Sequence, residues 1–179
     1  MVIAAGLMGI QGVRASSSIA ATSAAADPGG YVALAPARVL DTRVGVGAAR
    51  GAVKAGGSLV LQVGGAGGVP ASGVSAVVLN VTVTEPAGAG WVAAFADGQS
   101  YPGVSNLNFV AGQTVPNLVV APVGANGKVD LRNGSGGSVQ LVADVFGYFV
   151  AGAASAPGGF HSLAPARVLD TRVGVGAAR

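Results

Sequence analysis

The sequence predicts an all-β protein, an antiparallel β-sandwich of jelly-roll type with about nine strands. Three observations predict it. Apolar and polar residues alternate over short runs, the period-two pattern of half-buried strands. Turn residues separate those runs, in a chain with 31 Gly and 9 Pro among 179 residues. Between Tyr31 and Val150 no segment has room for the crossover helices that parallel strands need.

In order, strands are expected at 31–34, 38–43, 58–63, 75–84, 91–96, 104–110, 116–123, 128–132 and 138–150. Asn126-Gly127 and Asn133-Gly134 bracket the run KVDLR. Asn-Gly is the strongest short hairpin signal, because a type I′ turn needs positive φ at both central residues. Asp97-Gly98 reads as a further turn, and Pro102, Pro116 and Pro122 suit strand ends or edges. Alternation assigns the faces. Leu79, Val81 and Val83 point one way and Asn80, Thr82 and Thr84 the other. Leu107 and Phe109 point inward, with Asn106 and Asn108 outward, and Leu59, Leu61 and Val63 share an inner face. The expected core adds Leu40, Leu118, Val120, Leu131, Leu141 and Val145.

An internal repeat organises the chain. LAPARVLDTRVGVGAAR fills residues 34–50 and recurs unchanged at 163–179. The match reaches back to Pro28-Gly29-Gly30 and Pro157-Gly158-Gly159, and Tyr31 corresponds to Phe160. This divides the chain into an Ala/Ser-rich leader (1–29), a complete repeat (30–150), a linker (151–159) and the start of a second repeat (160–179). The second copy carries the opening strand without its partners, so it is expected to be disordered or to borrow an edge of the first sandwich. The leader reads as a truncated or misassigned signal peptide, since no basic side chain precedes the apolar run from Val2 to Ile10, with a disordered Ala/Ser leader as the alternative. That run is too short for a membrane span, which takes about 20 residues.

Composition excludes several function classes. The sequence pI is 9.8, yet between Tyr31 and Phe160 six basic residues face five acidic ones, a net of +1. No basic stripe can neutralise successive phosphates, so nucleic-acid binding is not expected. The chain has no cysteine, which rules out disulfides and thiolate metal sites. The Gly-rich runs at 64–68, 45–51 and 124–128 lack the helix start or Lys-Ser/Thr that phosphate loops need. No cofactor and no metal are expected. The single histidine, His161, falls in the partial repeat, and no nucleophile elbow occurs. No catalytic residue is assigned, and the chain is read as non-enzymatic.

Two groups of residues stand out. Asp41 lies between Arg38 and Arg43, and Asp144 sits in an apolar run. Carboxylates within strands are usually paired, so Asp41 or Asp144 is expected to meet Arg38 or Arg43 and tie the first strand to the last. Loss of Arg43 is then expected to be strongly destabilising. The second group is Asn80, Thr82, Asn106 and Asn108 with Trp91 and Tyr101. Uncharged amides and hydroxyls beside aromatic rings have the chemistry of a sugar-binding platform. The alternative is an ordinary solvated sheet face.

RVLDTR, VVLNVTVT, SNLNF followed by GQTVPNLVVAPVG, and ADVFGYF together resemble a β-rich repeat module of secreted actinobacterial proteins, over nearly all of residues 31–150. The resemblance implies an extracellular or cell-surface location and tandem copies of the module, or neighbouring hydrolase or peptidase domains. It carries no catalytic residue. The expected function is a non-catalytic module for cell-surface or cell-wall association, with polysaccharide and neighbouring copies as partners. The alternatives are a structural spacer and an accessory module of a truncated extracellular hydrolase.

Overall fold

The computed structural model describes residues 27–154 and 156–177, so the leader lies almost wholly outside the described residues. The described residues form eight strands: β1 (Tyr31–Asp41), β2 (Ser58–Gln62), β3 (Val74–Thr84), β4 (Gly90–Ala96), β5 (Leu107–Phe109), β6 (Val115–Pro122), β7 (Lys128–Asn133) and β8 (Gln140–Val150). They form two four-stranded sheets of order β1-β8-β3-β6 and β2-β7-β4-β5. Every pairing is antiparallel. First pairs with last, second with seventh, third with sixth and fourth with fifth. This is one long hairpin rolled into two layers, the jelly-roll winding. Among the described residues no helix is long and apolar enough to cross a membrane.

The count is eight rather than nine because the runs at 31–34 and 38–43 are one strand. β8 is continuous, and β1 follows it with irregularities between Ala33 and Ala37 and between Arg38 and Leu40. Pro36 lies at the first break, on a strand with a single neighbour, where a missing N–H is tolerated. The strand expected at 104–110 shrinks to three residues. The Asn106 side-chain Oδ1 accepts a bond from Ala94 N (2.7 Å), so a side chain replaces the ladder carbonyl there. Neither Asn-Gly pair makes a type I′ turn. Asn126 lacks positive φ, and Gly127 N donates to Gly124 O across a four-residue turn. Asn133 is the last residue of β7.

The core lies between the layers. Leu40, Leu61, Leu79, Leu131 and Leu141 are fully buried, with Val81, Val83, Val129 and Val145. Burying one such side chain contributes about 1.5–3 kcal/mol. Leu107 and Phe109 point inward as the alternation predicts, and Leu59 packs against the core rim. Leu118 and Val120 do not: they are exposed, and Val119 and Ala121 take the core positions. Residues 118–121 are all apolar, so β6 carries no alternation of its own. Pairing with β3 sets its faces: Val119 sits opposite Leu79 and Ala121 opposite Val77, whose side chains are in the core.

The second copy has the same sequence in a different setting. Its turn forms as in the first: Asp170 N donates to Val175 O at 2.9 Å, as Asp41 N does to Val46 O. Its strand does not form, and residues 160–169 carry no ladder. Val168 and Leu169 are 81% and 58% exposed, against 5% and 0% for Val39 and Leu40.

Candidate functional site

On β4 the inward residues are Val92 and Ala94, leaving Trp91, Ala93 and Phe95 on the outer face of the β2-β7-β4-β5 sheet. Tyr101, on the segment between β4 and β5, folds over them. Its ring stacks on Trp91, with centroids 4.9 Å apart and planes at 12°. It meets Phe95 at 6.2 Å and 55°. The Arg132 guanidinium lies 5.5 Å from the Tyr101 centroid, placed there because Arg132 pairs with Ala93 across β7 and β4. The Trp91 indole also packs against Gly134. A Cβ at that position would lie 2.1 Å from the indole carbons, so glycine leaves the space the ring fills. Asn108 pairs with Trp91 from β5 and is exposed, and its Oδ1 accepts a bond from Ser105 Oγ at 3.1 Å.

Tyr101 also walls a cleft of about 560 Å³, with Phe95, Gln99, Pro102 and Pro122 on one side and Leu163 of the second copy on the other. Its walls combine apolar rings with amide and hydroxyl groups and carry no charge.

Asp130 belongs to the same face, in register with Phe95 on one side and Val60 on the other. Its Oδ1 is buried and meets no donor. Burial raises its pKa above the ordinary carboxylate range, and a hydrogen bond from Ser58 opposes the shift. A raised carboxylate pKa means that ionisation weakens the fold as pH rises through it. Asp130→Asn is therefore expected to raise the melting temperature at pH 7 by about 2–4 °C, and a scan at pH 3 is expected to erase that difference. A lower melting temperature at pH 7 would refute the reading.

The structure divides the predicted sugar platform. Trp91, Tyr101 and Asn108 come together, but Asn80 and Thr82 lie on β3, in the other sheet. The runs that carry Asn80 and Trp91, β3 and β4, follow one another in sequence, but the winding crosses between the sheets there and puts them in different layers. Asn106 is committed to the fold: its Oδ1 bonds Ala94 N, and its carbonyl accepts Asn117 Nδ2 at 2.6 Å. Asp130, Arg132, Phe95 and Gly134 were missed. The aromatic Phe95, two residues from Trp91 and so on the same strand face, was the available signal.

The four charged residues do converge. Arg38 Nε donates to Asp144 Oδ1 at 2.9 Å and Nη1 to Asp41 Oδ2 at 3.2 Å, which ties β1 to β8. Arg43 Nη2 reaches Asp41 Oδ2 at 2.7 Å and its Nε reaches Oδ1 at 2.9 Å. Arg43 thus closes the turn after β1, while the cross-strand tie belongs to Arg38. Arg43 does not leave an isolated charge in the interior when removed, since Arg38 still faces Asp41. The Asp41 side chain is only 4% exposed. Its bonds from Arg43 hold its pKa down to about 2. A depressed carboxylate pKa contributes stability above its unfolded value near ~4 and loses it as pH falls. The melting temperature is expected to drop between pH 4 and pH 2, and Asp41→Asn is expected to flatten that drop. An unchanged slope would refute this role.

Among the described residues no three His, Asp or Glu side chains converge as metal ligands would. Comparison with protein-family models, curated proteins and solved structures gives no match.

Proposed function

We propose that the chain is a secreted, non-catalytic repeat module that associates with the cell surface or cell wall by taking a neutral polysaccharide beside Tyr101. The observation that carries this reading is the gathering of Trp91, Tyr101 and Phe95 beside an uncharged cleft whose wall includes Gln99 and Ser100. Tyr101 presents its ring to the cleft, and Trp91 holds that ring from behind. Sugars pack their C–H faces on such rings, and amides satisfy hydroxyls as donor and acceptor. The uncharged walls of the cleft suit a neutral glycan.

A second reading, a spacer unit that only folds and stacks, draws on one observation. Trp91 is partly buried, stacked by Tyr101 and packed against Gly134, which leaves little of its ring for a ligand. Retention on insoluble cell-wall polysaccharides separates the two. The binding reading expects retention of the whole chain and a loss of about tenfold or more in affinity for Tyr101→Ala. No retention on any polysaccharide leaves the spacer.

A further inference from the structure

We propose that the edge of β8 is a docking groove with two alternative occupants in one chain, β1 and the residues from Phe160 that repeat its sequence, so that the sandwich can close by either.

The groove accepts a replacement strand because β1 is an edge strand. Among the described residues its only strand neighbour is β8, so its departure breaks no other strand pairing there. The second copy matches that groove by sequence. Residues 163–179 equal 34–50, and therefore supply the same Leu, Val and Arg side chains in the same order. Arg167 stands where Arg38 bonds Asp144, and Leu169 where Leu40 is fully buried. The turn that follows is already formed. Arg167 Nη1 meets Asp170 Oδ2 at 2.8 Å and Arg172 Nη2 meets it at 2.8 Å, reproducing the contacts around Asp41.

The second copy also starts from the right place. β1 enters opposite the end of β8, with Tyr31 paired to Phe149. Phe160 stacks on the same Phe149, with centroids 4.2 Å apart, and its N donates to Gly29 O at 2.9 Å. Residues 150–159 are a hairpin connection long enough to bring Phe160 opposite Phe149, a span of about 5 Å. Both strands are tethered to the same sheet, so exchange is intramolecular and outcompetes pairing between chains at ordinary concentrations.

Among the described residues both segments face the one β8 edge, so one of them is unpaired in either state. The observed closure is favoured by contacts that the second copy does not repeat. Tyr31 OH donates to Phe146 O at 3.1 Å, and Phe160 has no hydroxyl. β1 also leads into Val53, which bridges Val139. The winning strand thus differs from its rival at a few identifiable contacts.

The experiment uses the full chain with Leu40→Asp, Leu169→Asp and the double substitution. Leu169→Asp is expected to keep the wild-type melting temperature. Leu40→Asp is expected to retain a cooperative transition, closed by the second copy, and the double variant to lose it. Equal loss in Leu40→Asp and the double variant overturns the proposal. A second measurement does not depend on that variant folding. The chain has no cysteine, so Asp144→Cys with Arg167→Cys reports seating directly. An intramolecular disulfide formed under native conditions supports the exchange. Failure to link, while Asp144→Cys with Arg38→Cys links, overturns it. Disulfide-linked dimers also overturn it, because they place the exchange between chains.

Discussion

Asn133→Ala is expected to destabilise the sandwich by about 3–5 kcal/mol, among the largest effects of any single substitution. Asn133 is fully buried at the end of β7. Its Nδ2 reaches the carbonyls of Val53 (3.1 Å), Lys54 (3.0 Å) and Gly137 (2.9 Å). Its Oδ1 accepts Ser135 N at 3.0 Å and Ser135 Oγ at 2.7 Å. One side chain therefore joins the approach to β2 with the loop between β7 and β8. Alanine removes all five bonds and the volume of a fully buried amide. Val53 O, Lys54 O and Gly137 O keep Val139 N, Gly57 N and Ser135 Oγ as donors. Ser135 N loses its acceptor, at about 1–3 kcal/mol, and each lost bond adds about 1 kcal/mol. Asn133→Asp keeps the acceptor but turns a second oxygen toward the carbonyls, so it is expected to be as damaging. The exposed Asn117→Ala, which removes a single bond to Asn106 O, serves as the comparison and is expected to cost no more than about 1 kcal/mol. Thermal melting checks the series, and a fall of less than about 6 °C for Asn133→Ala would count against the hub.

Gly134→Ala is expected to cost about 1–3 kcal/mol by overpacking and to dismantle the aromatic site. The backbone at Gly134 does not have positive φ, so alanine meets no conformational penalty there. The penalty is collision, with the added Cβ 2.1 Å from the indole carbons of Trp91. The indole must leave, and Tyr101 loses the ring that backs it. The near-UV circular dichroism of the Trp–Tyr stack is expected to vanish, with polysaccharide retention falling as in Tyr101→Ala. Gly98→Ala separates the two causes. Its φ is +86° with open space around the new carbon, so it is expected to lower stability by about 1 kcal/mol while leaving the stack intact. An unchanged aromatic signal in Gly134→Ala would refute the packing argument.

The parts of the fold legible in the sequence are those where one strand carries its own alternation. β3 shows this in Leu79, Val81 and Val83, and all three are fully buried. β6 does not, because its central residues are uniformly apolar, and only its pairing with β3 turns Leu118 and Val120 to solvent. The site was legible to the same extent. Trp91, Tyr101 and Asn108 meet because β4 and β5 are neighbours. Asn80 and Thr82 share their residue types but belong to the other sheet, and the winding that separates them leaves no local mark. Asn133 reads locally as half of a turn signal. Its place as a buried hub depends on Val53 and Lys54, which lie about 80 residues away along the chain.

The repeated segment separates the two kinds of information within one molecule. Asp41 and Asp170 make the same turn and the same arginine contacts, because all those partners lie within five residues of the aspartate. Local sequence is sufficient for that. Residues 31–41 are a strand with Leu40 in the core, while 160–169 are not a strand and Leu169 is exposed. The side chains from Leu34 and Leu163 onward are identical, so propensity cannot distinguish the copies. The difference is the edge of β8, whose ladder bonds and apolar face are given to one copy at a time.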